Sequence, residues 1–142
     1  RQMCIRDSME IALRAALLDW LAADPDITSR CNLLAEERPV EASAPWIGIA
    51  ASAGTDWSTK TSTGSEIRIA LECHVRGDDR SSGADLVDRL DRRALSLPDQ
   101  PRFTVASATF LRSRSEVRAR NIRAHLREYR FRLLAPNPSS GD

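Results

Sequence analysis

Between Glu66 and Arg76 the chain alternates with a period of two: Ile67, Ile69, Leu71, Cys73 and Val75 are interleaved with Glu66, Arg68, Glu72, His74 and Arg76, and only Ala70 interrupts the polar series. Successive side chains of a β-strand point to opposite faces, so this pattern predicts an antiparallel-type strand with one face buried and one wet. A single strand of this kind cannot stand alone. It needs hydrogen-bonding neighbours and something apolar to lie on its buried face.

Both are offered by the rest of the sequence. Pro45 to Ala50 is a short apolar run and reads as a strand, while the Ser-, Thr- and Gly-rich stretch from Ala51 to Ser65 reads as an exposed loop or arm. Phe103 to Leu111 begins a third strand, Ser113 to Asn121 reads as a charged hairpin connection, and Ile122 to Leu134 places His125, Arg127, Tyr129, Phe131 and Leu133 on one face of a fourth. Two helical patterns supply the cover. Met9 to Ala23 carries Ile11, Ala12, Ala15, Ala16, Leu17, Leu18, Trp20 and Leu21 at helical spacing, and Ser82 to Leu97 carries Leu86, Val87, Leu90, Ala94 and Leu97. Asp24-Pro25 stops the first helix and is equally suited to cap a short second turn; Ile27 to Leu34 stays ambiguous. The expected fold is α+β: a mostly antiparallel four-stranded sheet with two helices packed on one face. The other face, bearing Arg68, Glu72, His74, Arg130 and Arg132, is expected to be wet or to meet a partner.

The chain is expected to be one domain, spanning residues 9–134, with a disordered tail over 135–142. Residues 1–8 are set apart, because Met3 to Ser8 reads like the translation of a sequencing adapter and not like native protein. No apolar run approaches the ~20 residues that span a bilayer, so no membrane partner is expected. Cys4, Cys31 and Cys73 fall at scattered spacings, with no metal-ligand pattern, and a reducing compartment is the default.

The residue types that carry catalysis are sparse. Adjacent Cys73 and His74 would point to opposite faces of their strand, which rules them out as a nucleophile–base pair. Neither histidine has neighbours spaced as metal ligands, and no glycine-rich phosphate loop is present. The chain therefore reads as a non-enzyme without cofactor or metal. Charge is more informative. Net charge is +1, yet Arg102 to Arg132 holds nine arginines against Glu116 and Glu128. Three readings stay open: a track for nucleic-acid phosphates, a solvated face of paired charges, or a subunit contact in which Asp85, Asp88 and Asp91 accept arginine forks.

The segments Ala44-Pro45-Trp46-Ile47-Gly48-Ile49 and Asp56-Trp57-Ser58-Thr59-Lys60-Thr61, then Gly64, the strand Glu66 to Arg76, and Tyr129-Arg130-Phe131-Arg132 carry a family likeness. Together with the alanine- and leucine-rich first helix, they resemble the small tail-completion proteins, which include the tail terminators of tailed phages and of gene transfer agents. The resemblance implies a homo-oligomer, expected to be a hexameric ring, that caps the tail tube. It also implies contact with the tail tube protein and a neck or connector protein. The expected location is the tail–neck junction of a virion assembled in the bacterial cytoplasm. Specific nucleic-acid binding is not expected from it; a small nucleic-acid-binding module is the rival reading. Trp57, Ser58, Thr59, Lys60 and Thr61 in the arm, with Arg130 and Arg132 on the last strand, are the candidate interface residues. A tryptophan in a polar loop either packs back on its own domain or anchors a partner.

Overall fold

The computed structural model of the chain describes residues 5–35 and 43–136. In order the elements are α1 (Ile5–Ala22), α2 (Pro25–Thr28), β1 (Leu33–Ala35), β2 (Trp46–Asp56), β3 (Gly64–Arg76), α3 (Arg80–Leu95), β4 (Thr104–Arg118), a 3-10 turn (Ala119–Asn121) and β5 (Ile122–Leu134). The strands form one sheet in the order β1-β2-β3-β5-β4. Four of them make the expected antiparallel sheet. The fifth, β1, adds a three-residue parallel pairing to β2, from Leu33↔Trp46 to Ala35↔Gly48. The ambiguous stretch after Pro25 thus resolves into a helical turn and the start of a short edge strand.

Helix α1 buries Met9, Leu13, Leu17 and Leu21, which recur every fourth residue and so form one stripe. This stripe and Leu86, Leu90 and Ala94 of α3 meet Ile67, Ile69, Leu71 and Cys73 of β3 and Tyr129, Phe131 and Leu133 of β5 in a single core. Burial pushes the Cys73 thiol up to about 12, so it packs as a small apolar group and not as a nucleophile. The α1–α3 contact is clasped by Trp20 and Arg93. The indole N–H donates to the Arg93 carbonyl at 2.8 Å, Arg93 Nε donates back to the Trp20 carbonyl at 2.9 Å, and the guanidinium lies 3.3 Å from the ring centre.

Asp24 caps α2, accepting from the Asp26 N–H at 2.9 Å, and also binds Arg89 of α3 at 2.6 Å. Burial raises its carboxyl pKa, but the Arg89 hydrogen bond, the Asp26 N–H and the charges of Arg89 and Arg93 outweigh that, and the net shift is downward.

Two expectations about strand length need correction. Residues 51–56, expected in the arm, continue β2 past a bulge between Ile49 and Ala51 and pair with β3 as far as Asp56↔Ser65. Residues 113–118, expected in a connection, continue β4 as far as Arg118↔Ile122, so the hairpin turns only at Ala119–Asn121. In both stretches neither face is buried, so no alternation marks them; pairing to β3 or β5 imposes the strand. At the termini, α1 begins at Ile5, inside the segment set apart as a leader. The expected disordered tail lies outside the described residues beyond Pro136.

Candidate interaction site

The β2–β3 connection is short and self-bonded. Trp57 N–H donates to the Gly64 carbonyl at 3.0 Å, Ser58 Oγ donates to Asp56 Oδ1 at 2.6 Å, and Gly64 N–H donates to Ser58 Oγ at 2.9 Å. Thr59 Oγ1 accepts from the N–H groups of Thr61 and Ser62, at 3.4 and 3.1 Å. Ser58 and Thr59 therefore shape the turn, while the side chains of Lys60 and Thr61 are exposed beyond it. Gly64 is required: a Cβ there would lie 2.5 Å from the Trp57 carbonyl oxygen and 3.0 Å from that of Leu133, both of them backbone atoms.

Strand register sets what lies next to this turn on the face away from the helices. Glu66 of β3 sits beside Arg132 of β5, which sits beside Ser107 of β4; one row further on, Arg68, Arg130 and Thr109 are neighbours. Arg132 Nε donates to Glu66 Oε1 at 2.9 Å, and the Arg132 guanidinium lies 5.5 Å from the centre of the Trp57 ring. The Arg132 hydrogen bond holds the Glu66 carboxyl below its ordinary pKa, although burial opposes it. Arg130 differs. Its Nε is buried without a hydrogen-bond partner, and its neighbour across β3 is another arginine, the exposed Arg68. Arg68 and Arg130 side by side make this end locally positive, and their charges act on Glu66 as well, whereas the Arg130 Nε is itself shielded from an incoming partner.

Of the residues singled out in the sequence, Trp57 and Arg132 come together, Arg130 lies two residues along the same face, and Lys60 and Thr61 mark the turn's apex. Arg68 is expected on this face with Arg130 and Arg132, although not named among the interface residues, and Glu66 was missed. The pairing with β5 that makes Glu66 the neighbour of Arg132 is not written in local sequence.

The opposite end of this sheet face is not wet, which corrects the expectation for Glu72 and His74. Their exposures are 8% and 4%. The two side chains lie 3.2 Å apart, Trp46 stacks on the His74 ring at 4.0 Å, and Arg118 approaches Glu72 at 3.8 Å. The open part of the face is the Arg68–Arg130–Arg132 end.

Most arginines of the basic half have partners in their own chain. Arg112 pairs with Glu128, Arg114 with Glu116, Arg118 with Glu116 and Glu72, Arg127 with Asp91, and Arg132 with Glu66. The helix acids are likewise engaged internally: Asp85 by Arg30, Asp88 by Arg92, and Asp91 by Arg127 and the Tyr129 hydroxyl. This ladder of paired charges leaves a phosphate track with fewer arginines than the sequence offers. His125, partly buried and close to Arg123 and Arg127, has its pKa lowered by burial first and then by those charges. No helix is long and apolar enough to cross a membrane.

Comparison with known proteins agrees with this architecture. The family described as Tail completion protein gp17 matches residues 15–134. Among solved structures, a chain of the virion of a native gene transfer agent particle superposes with a TM-score of 0.71 at 16% identity, over 86% of this chain and 94% of that one. At that identity the likeness is one of fold. No curated protein sequence matches.

Proposed function

This chain belongs to the family of tail completion protein gp17, and from that premise we propose that it is the ring-forming terminator of a phage-type tail. As a member of that family it is a structural protein of the tail. In the finer reading, copies of the chain close into a ring, expected to be a hexamer, on the end of the tail tube. The ring stops tube growth and joins the tube to the neck or connector. It does so without cofactor or catalysis, at the tail–neck junction of a virion assembled in the bacterial cytoplasm.

The observation that carries this reading is the open end of the sheet. Trp57, half-buried, is poised over Arg132, and beside that pair Arg130 neighbours the exposed Arg68. An amphipathic aromatic anchor beside arginines is the composition of a protein–protein contact centre. Light scattering behind size-exclusion chromatography, with negative-stain images of the peak, tests it. Ring-shaped particles of about six subunits are expected. A strict monomer, at high concentration and with tube protein present, would overturn the ring. Trp57→Ala is expected to weaken assembly severalfold while leaving the monomer folded, because the ring is only partly covered by its own domain; unchanged assembly would remove Trp57 from the interface.

A further inference from the structure

Among the described residues, two large apolar side chains stand in solvent: Ile11, 54% exposed, and Val117, 72% exposed. They lie at opposite ends of the molecule. Val117 is on β4 one residue before its end, paired with Arg123, where the ribbon turns through Ala119–Asn121. Positive φ at Arg120 and Asn121, 64° and 60°, makes that turn tight, so the tip is a narrow convex ribbon. Ile11 belongs to the first turns of α1. Those turns are tied to β2 through Glu10, which accepts from Ser52 Oγ at 2.6 Å. There Ile11 lines a hollow of about 550 Å³ with Ala12, Ala15, Ala16 and Asp19 of α1 and Phe103, the residue preceding β4. From Phe103 to Val117 the strand runs roughly 45 Å at about 3.3 Å per residue.

We infer that the tip of the β4–β5 hairpin of one copy seats in the α1–Phe103 hollow of the next, with Val117 against Ile11 and the alanines. This rests on the ring reading above and names the two surfaces that close it. Shape is complementary, a convex ribbon against a concave floor of small side chains. Charge allows one ion pair across the contact. Among the described residues Arg120 and Arg123 at the tip have no ion pair, and neither does Asp19, exposed on the helix wall of the hollow; Arg102, which also lines the hollow, has the same sign as the tip, so the apolar fit and the single Asp19 acceptor carry the match. Because the two surfaces sit at opposite ends, the contact is head-to-tail: it leaves one tip and one hollow free in every open oligomer, and only ring closure satisfies all of them. A self-complementary patch would have stopped at two copies.

The test uses the full chain with Cys4→Ser and Cys31→Ser, carrying Ala15→Cys and Val117→Cys, oxidised and run without reductant beside the two single variants. A ladder up to the ring size in the double variant, heterodimers when the single variants are mixed, and monomer in each alone are expected. Val117→Arg, at a site exposed enough to leave the melting temperature unchanged, is expected to raise the concentration for half-assembly roughly tenfold or more, the effect of losing one interface anchor. Rings that form without mixed cross-links and ignore Val117→Arg would overturn this contact while leaving the terminator reading standing. Cross-links of Ala15→Cys to itself would overturn it in favour of a two-fold contact. Absence of any oligomer would remove ring and contact together.

Discussion

Asp24 ties three segments together: its backbone ends α1, its carboxylate caps α2, and Arg89 of α3 binds the other oxygen. Asp24→Asn keeps the shape and removes the charge, and it is expected to cost about 2 kcal/mol, less than a fully buried pair because Arg89 is partly exposed. The folded-state pKa lies below the unfolded value near 3.9, so the contribution is full above that value and is lost as pH falls through the lower one. Melting temperatures of wild type and Asp24→Asn should therefore differ at pH 6 and converge in strong acid. Tyr129, the single tyrosine, behaves in the opposite sense. Burial, then its hydrogen bond to Asp91, raises its pKa well above the ordinary range. The native state keeps the phenol proton that the unfolded chain surrenders from about pH 10, so stability is intact below that pH and declines above it. Phenolate absorbance is expected to appear together with loss of the circular-dichroism signal; a tyrosine that titrates freely in the folded protein would contradict its burial.

The helices and the two central strands are the elements legible in sequence, because each has one buried and one wet side. The alternation of Ile67 to Val75 is the core itself written out, whereas the buried stripe of α1 runs through Met9, Leu13, Leu17 and Leu21, sharing only Leu17 and Leu21 with the expected apolar set, and Ile11 of that set stands in solvent. Residues 51–56 and 113–118 fail that test, being largely exposed on both faces, and their composition mimics a loop. Of the candidate site, the tryptophan, the turn and the arginines of β3 and β5 could be picked out, whereas Glu66 joins it only through cross-strand register with Arg132. The β2–β3 hairpin also depends on one position with no periodicity to announce it. Gly64→Ala must displace the backbone at Trp57 or Leu133, and a loss of about 1–3 kcal/mol is expected in denaturant titration. A neutral substitution would show that the turn relaxes without cost.

The two helices cover one face of the sheet, and the other face is split into a covered end around Trp46 and His74 and an open end around Arg130. Charge reversal belongs at this scale, since its readout is the assembled particle. Arg130→Glu removes a positive charge that helps hold the Glu66 carboxyl down and sets a second carboxylate near it, so the monomer is expected to melt somewhat lower but still fold, with the melting temperature recorded alongside the assay. It is expected to reduce tail joining by an order of magnitude in a complementation assay, through repulsion of the acceptor that the wild-type site attracts. Normal joining by that variant would move the partner surface elsewhere. The boundaries of the sheet bear on the same question. β1 is three residues long, and β4 is broken by bulges between Val105 and Ser107 and between Phe110 and Arg112, with arginines beyond. Along β4 a visiting backbone would lose register at each irregularity. On that edge the proposed ring would have to close through side-chain contacts and not by adding strands.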